Sequence, residues 1–358
     1  MAISYSELNR SNLGIILIYD LIVVGNGIAA QTFLFEFFLS LDVKKRQNIS
    51  VAQIYSEEVA ASCSMRSIAT VSLSGIEEGV SDLGNELRDS FFLFDKFYES
   101  HAPKGVEKVR QLVTFTNEKE RAKTLRRYKE LSVLNDSLLK NSMEGVELDA
   151  FLVSPEALHL WFSEQLSRRE ITHKNEFLKS FNENPEGIID CELLGGEVVK
   201  TRKLVLCTGA YSKLFSSFYK ETDFLSSTYT VAGSYLERSL DLARASFSIT
   251  INGHKIIYRD DEKKVILGSV SSDNGIVLAD INEINNILTL FNEKTNFFFG
   301  NFSDFKLITG LRHKAAKRRP IAMAIDESHK ILLIGGLYKN GFTFSHLCAK
   351  KILSEFSL

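Results

Sequence analysis

Proline is scarce in this chain, with four in 358 residues. Stiff extended linkers are proline-rich, so the scarcity leaves little room for domains strung on spacers, and no repeat or low-complexity tract is present. Cysteine is equally scarce: Cys63, Cys191, Cys207 and Cys348 lie far apart with no C-x-x-C pair. That spacing suggests neither a zinc site nor a redox dithiol, and predicts four reduced thiols in a cytoplasmic protein. An excess of either charge is missing too. Lys and Arg number 43 against 45 Asp and Glu, a formal net charge of -2, which argues against a dedicated nucleic-acid binder. Residues 13–24 are strongly apolar, but Asp20 interrupts them, and they lack a basic flank and a small-residue cleavage site. No stretch has the length of a membrane span, so the chain reads as soluble.

What is present begins at Tyr19. An apolar, β-branched run, Leu21-Ile22-Val23-Val24, breaks at Gly25 and resumes with helical spacing at Ala29, Ala30, Phe33, Leu34 and Phe37. Strand, glycine turn and helix in this order match the dinucleotide-binding fingerprint, with Gly25, Gly27 and Ala30 in its three small positions and Ile28 and Ala29 between them. In that motif the first glycine makes the turn, the second admits a pyrophosphate to the backbone, and the third small residue lets helix and strand pack closely. The phosphates then sit on free N–H groups at the helix N-terminus. A second strand spans residues 49–55. It should end in an acid that grips a ribose hydroxyl. Tyr55 and Ser56 stand there instead, with Glu57 just beyond as the best candidate and a solvated loop acid as the alternative.

A loop of small and hydroxylated residues follows, Ala60-Ala61-Ser62-Cys63-Ser64-Met65-Arg66-Ser67. Small side chains let backbone approach a ligand, and serine and arginine can bind phosphate or carbonyl oxygens. Residues 85–98 carry Phe91, Phe92, Phe94, Phe97 and Tyr98 at helical spacing, a core stripe. Residues 118–129 alternate Lys, Arg and Glu and read as a solvated helix face. Ser154 and Pro155 are placed as N-cap and first residue of another helix. Gly195-Gly196 signals a hairpin, and residues 201–207 a buried strand ending at Thr208-Gly209-Ala210. Residues 228–270 alternate as antiparallel strands, including 255–259 and 264–268 across an acidic turn. A helix over 281–290, the segment Gly310-Leu311-Arg312-His313, a strand over 331–334, a second glycine segment and a last helix over 344–353 close the chain.

Taken together in this order, G-N-G-I-A-A, A-S-C-S-M-R-S, V-S-P-E-A-L, L-V-L-C-T-G-A-Y-S, G-L-R-H and G-G-L-Y-K-N-G-F resemble the FAD-dependent D-amino-acid oxidase superfamily, which includes glycine and sarcosine oxidases. The likeness runs from Tyr19 to the last helix. A narrower one, over residues 62–66 and the aromatic helix after them, is to the oxidase module of the tRNA-modifying enzyme that removes carboxymethyl from a wobble uridine; the net charge argues against such a role.

The resemblance implies an α/β fold: a Rossmann-like FAD-binding domain (19–85, 150–225 and 305–358) with an inserted antiparallel-sheet substrate domain (86–149 and 226–304). It implies noncovalent FAD, because no cysteine lies at the G-L-R segment where some relatives attach the cofactor. FAD contacts are expected from Gly25, Gly27, Ile28, Ala29, Ala30, Glu57, Ser62, Ser64, Met65, Arg66 and Ser67. Later in the chain they are expected from Thr208, Gly209, Ala210, Gly310, Gly335, Gly336, Tyr338, Asn340, Gly341 and Phe342. Arg312 matches the arginine that clamps a substrate carboxylate; a structural ion pair is the alternative. Relatives often add a tyrosine from a proline-ended strand. Here that strand reads His254-Lys255-Ile256-Ile257-Tyr258-Arg259, which leaves His254, Lys255 and Tyr258 as candidates for the second partner. The implied activity is oxidation of the C–N bond of an amino acid or N-substituted glycine, with hydride transfer to flavin, imine hydrolysis and peroxide release. The alternatives are a dehydrogenase serving a quinone or partner protein, and a flavin-binding subunit without catalysis.

Overall fold

Leu21–Val24, Leu204–Leu206 and Ile331–Gly335 are buried at every position. Short continuous apolar runs of this kind form parallel strands covered on both faces. The computed structural model, which describes residues 17–57, 63–76, 79, 81–216, 220–272 and 280–356, places them at the centre of a six-stranded sheet. Its order is Ile321–Ala324, Ile331–Gly335, Leu204–Leu206, Leu21–Val24, Val51–Tyr55 and Ile171–Asn175. All neighbours pair in parallel except the antiparallel edge strand Ile321–Ala324.

The α-helices among the described residues are α1 (Ile28–Ser40), α2 (Val43–Asn48), α3 (Asp82–His101), α4 (Glu118–Tyr128), α5 (Pro155–Leu166), α6 (Ile281–Lys294) and α7 (Gly341–Ser354). One face of the central sheet packs on α1 and α7, where Phe33, Phe37, Phe344 and Cys348 meet Leu21 and Val23. The other face lies on a smaller sheet of Ile18–Tyr19, Val198–Thr201, Ile189–Leu193 and Leu178–Glu183.

The third sheet has nine strands. From one edge it runs Lys306–Lys314, Tyr229–Ser239, Lys264–Ser272, His254–Arg259, Phe247–Ile251, Val106–Thr114, Met143–Val153 and Thr70–Ser72, with Ser132–Leu134 paired off Met143–Val153. One face takes the apolar stripe of α6, Ile284, Ile287, Leu288 and Phe291. The other, with Tyr235, Ile257 and Ile266, meets Ile68 after the small-residue loop.

The mixed α/β architecture agrees with the sequence reading, and Ser154 caps α5 with Pro155 at its start. Three local readings differ. Residues 44–48, polar enough to read from sequence as a surface turn, belong to the short helix Val43–Asn48, because Asp42 accepts the Lys45 N–H and caps it. Residues 201–207 divide between two sheets, Val198–Thr201 in the small one and Leu204–Leu206 in the central one. Pairing also cuts across the boundaries read from sequence: Lys306–Lys314 is the edge strand of the nine-stranded sheet, and α3 packs on α7 through the ring of His346 against Phe94 and Phe97.

Candidate active site

Parallel sheets expose their ligand sites at the carboxyl ends of the strands. Here five such ends converge on one cavity of about 650 Å³, through Gly25, Ser56, Cys207 and Thr208, Gly335 and Gly336, and Glu176. The near face of the nine-stranded sheet closes its other end with Lys255, Ser269, Ser271 and Arg312.

The glycine turn explains the first end. Gly25 has φ +120°, and a Cβ there would stand 2.4 Å from the Cys207 carbonyl oxygen, so only glycine lets the turn pass beside the neighbouring strand. Gln53, buried on Val51–Tyr55, donates to the Gly25 carbonyl at 2.8 Å and to Asn26 Oδ1 at 3.3 Å, fixing the turn from below. Helix α1 then starts at Ile28, with no side-chain cap on Gly27 and no acid in its first turn, and the Ser64 hydroxyl accepts the Ile28 N–H at 2.9 Å. Its positive end therefore faces the cavity with no acid on it and only the Ser64 hydroxyl at its first N–H, an arrangement suited to holding a pyrophosphate.

His313 lies between the two ends. It is buried, and its Nδ1 accepts the Gly336 N–H at 2.9 Å. Burial pushes its pKa down to about 4, so the ring is neutral with its proton on Nε2, which has no partner among the described residues. An orphaned donor in the wall of a cavity lined by glycines, with an acid-free helix N-terminus beside it, fits a large polar cofactor such as FAD.

The second end is built by register. Arg312 sits opposite Val231, two positions from the Gly233–Gly310 pair. Its guanidinium lies over Gly233, where a Cβ would stand 2.0 Å from Cζ, and reaches Ser271 Oγ at 3.0 Å on the next strand. No carboxylate pairs with it among the described residues. Cys63 lines the cavity beside it; burial pushes that thiol up while Arg312 opposes the shift. Lys255 enters from His254–Arg259, with its ammonium held down to about 8 by burial and then by repulsion from Lys339. His254 also lines the cavity, its pKa lowered by burial and its Nδ1 without a partner among the described residues.

Of the residues expected at the cofactor, Gly25, Gly27, Ile28, Ala29, Ser64, Ser67, Thr208, Gly209, Ala210, Gly335, Gly336, Tyr338, Gly341 and Phe342 all line this cavity. Ala30 packs behind it in the core of α1, and Gly310 and Asn340 are outside the lining, Gly310 backing onto Arg66. Met65 and Arg66 line a different cavity of about 480 Å³ on the other side of their loop, with Arg66 Nη1 3.5 Å from the Thr309 carbonyl. Ser62 lies outside the described residues. Glu57 is exposed and does not line the cavity; its N–H is held by Asn175 Oδ1 at 3.1 Å, and Glu176, one strand over, is the acid that lines this end.

Tyr258 is a correction. Side chains alternate across a strand, so Lys255 and Tyr258, three positions apart, face opposite sides of the sheet. Tyr258 is fully buried against α6, with its hydroxyl between Asp260 at 3.2 Å and Asp241 at 3.3 Å. Sequence reasoning missed Gln53, Gly233, Ser271, Glu176 and Lys123. The last lines the cavity from a helix read as wholly solvated, and pairs with Glu120 at 3.1 Å.

The solved structures most like this chain include glycine oxidase from Bacillus cereus, with 16% identity, a TM-score of 0.75 and coverage of 95% of this chain and 98% of that one. L-α-glycerophosphate oxidase from Mycoplasma pneumoniae with FAD bound is 13% identical, covers 95% of both chains and has a TM-score of 0.75. L-proline dehydrogenase from P. horikoshii is 11% identical over 96% of this chain and 95% of that one, with a TM-score of 0.72. No curated protein matches the sequence. The family model described as DAO, FAD dependent oxidoreductase, matches residues 20–355, and the chain belongs to that family of FAD-dependent enzymes.

Proposed function

We propose that the chain oxidises the C–N bond of an amino acid or N-substituted glycine whose carboxylate is held by Arg312. The observation that carries this reading is the Arg312 guanidinium, brought across Gly233 into the cavity and fixed by Ser271, with no carboxylate of the protein as its partner among the described residues. A planar fork of donors matches a carboxylate bidentately, and held at one edge by Ser271 it loses little freedom on binding. Fixing the carboxylate fixes the carbon beside the nitrogen, and positioning is the protein's main contribution in a flavoenzyme.

Bound FAD would supply the redox step, accepting a hydride from that carbon and passing the electrons to oxygen, with peroxide as product, or to another acceptor. The acid-free N-terminus of α1 and the Gly25 turn would hold its pyrophosphate. Glu176, which lines the cavity at the end of Ile171–Asn175, would take a ribose hydroxyl, and the unpartnered His313 Nε2–H would meet a polar edge of the cofactor. The oxidised imine then hydrolyses in water.

Anaerobic mixing of the FAD-loaded protein with a panel of amines tests the reading through bleaching of the visible flavin band. Bleaching by at least one primary or secondary amino acid is expected, and Arg312→Lys should lower its kcat/KM by about 100-fold or more while the flavin spectrum persists. An intact spectrum that no amine bleaches, or an Arg312→Lys enzyme of undiminished kcat/KM, would sink it. Oxygen uptake against dye reduction then identifies the acceptor.

A further inference from the structure

In the second cavity, beside Arg66, opposite charges neutralise one another: Lys264 pairs with Glu262 at 2.7 Å, and Arg259 lies 3.7 Å from the same carboxylate. The substrate end of the main cavity is different. Arg312 and Lys255 reach it from strands on opposite sides of Lys264–Ser272, Arg312 touching Ser271 and Lys255 registered against Gly268. Those positions pair with Gly233 and Tyr235, two residues and roughly 7 Å apart at 3.3 Å per residue, because Ser269 is the extra residue of a bulge, so both lie on one face of the sheet. Gly268 presents no side chain between them.

Neither Arg312 nor Lys255 has a carboxylate partner among the described residues, and both line the same cavity. Of the two acids in the lining, Glu176 and Glu283, neither acts on Lys255, and Glu283 acts on His254. A poorly hydrated ammonium beside another cation is costly until an anion joins it.

We propose that the substrate carries two carboxylates, one on Arg312 and the second on Lys255, so that it is a compact dicarboxylic amine. This rests on the amine-oxidation reading for the first carboxylate and the nitrogen, and it adds the second anion as the determinant of specificity.

The test separates the two. The FAD-loaded protein is titrated with succinate and glutarate, and with acetate and propionate, while the visible flavin spectrum is followed; none of these carries an oxidisable amine. Dicarboxylates should bind about 30-fold more tightly than monocarboxylates, the size of one charge-assisted hydrogen bond, and Lys255→Met should remove that advantage. Equal binding of the two classes overturns the proposal, as does an advantage that survives in Lys255→Met. The same protein is then mixed anaerobically with glycine, sarcosine, both enantiomers of aspartate and glutamate, and iminodiacetate. Faster bleaching by the dicarboxylates, with their KM raised in Lys255→Met, supports it. Dicarboxylates that bind through Lys255 while no amine bleaches the flavin would uphold the dianion site and overturn the amine-oxidation reading. A Lys255→Met enzyme that keeps the dicarboxylate preference but reoxidises more slowly in oxygen would assign Lys255 to the acceptor instead and overturn the proposal.

Discussion

The nucleotide end of the cavity is made chiefly of backbone: the Gly25 turn, the N-terminus of α1 and the Gly335-Gly336 segment. The substrate end is made of side chains, Arg312, Ser271, Lys255 and His254, delivered by three strands of a different sheet. A backbone site needs small residues in a short stretch, because the shape of one turn decides whether a phosphate can approach. A side-chain site needs only that strands far apart in sequence come into register, which no short stretch records. The contrast predicts that single substitutions at the first end remove the cofactor, whereas those at the second alter what is bound beside it.

The largest effect should come from Gly25→Val. With φ +120° and the Cys207 oxygen 2.4 Å from the added Cβ, both strain and clash oppose the native turn. A loss of about 3–5 kcal/mol of stability is expected, with purified protein that takes up no FAD. Urea unfolding and the visible spectrum read the two consequences; a yellow, stable variant would break the contrast.

His313 joins the two ends and gives an effect of intermediate size. Its folded-state pKa of about 4 lies below the usual 6.5, so the unfolded chain takes the proton first as pH falls. The stabilisation is complete above pH 6.5 and is lost between there and about pH 4, by about 2–3 kcal/mol from this one group. Protonation also removes the acceptor for the Gly336 N–H. Unfolding free energies at pH 7 and pH 4.5 should therefore fall further apart in the wild type than in His313→Gln, and equal differences would show that the ring is not the group responsible.

The same contrast explains what could be read from the sequence. The four inner strands of the six-stranded sheet were visible because they are largely apolar runs, whereas the edge strands Ile171–Asn175 and Ile321–Ala324 carry no such run, and the glycine turn was visible because Gly25, Gly27 and Ala30 fall within six residues. Gln53 was not, since a buried glutamine in a strand carries no signal until the turn above it is known to need a donor. Glu57 stood near the expected place in the sequence, but the acid lining the cavity, Glu176, comes from a parallel neighbour more than a hundred residues later. Lys123 was hidden by its surroundings: α4 is charged along its length and only Thr124 is buried, so the one lysine of this helix that reaches the cavity looks like the rest of the helix.

The smallest effect, and the one that sharpens the contrast most, belongs to Tyr258. Three candidates were open on one strand, and alternation separates two of them: Lys255 shares a face with Ile257 and Arg259, while Tyr258 shares the α6 face with Ile256; His254, the first residue of the strand, lines the cavity from the strand's end. The Tyr258 hydroxyl also accepts the Leu242 N–H at 3.3 Å, tying the loop after Tyr229–Ser239 to the sheet. Tyr258→Phe removes those bonds and leaves the ring packing, so a loss of about 1 kcal/mol is expected in urea unfolding. Because the cavity lies on the other face, kcat and KM for the best amine should stay within about twofold of the wild type, a factor worth only ~0.4 kcal/mol. A tenfold rise in KM at unchanged stability would mean that Tyr258 reaches the substrate after all, and that the strand turns its other face to the cavity when the enzyme is loaded.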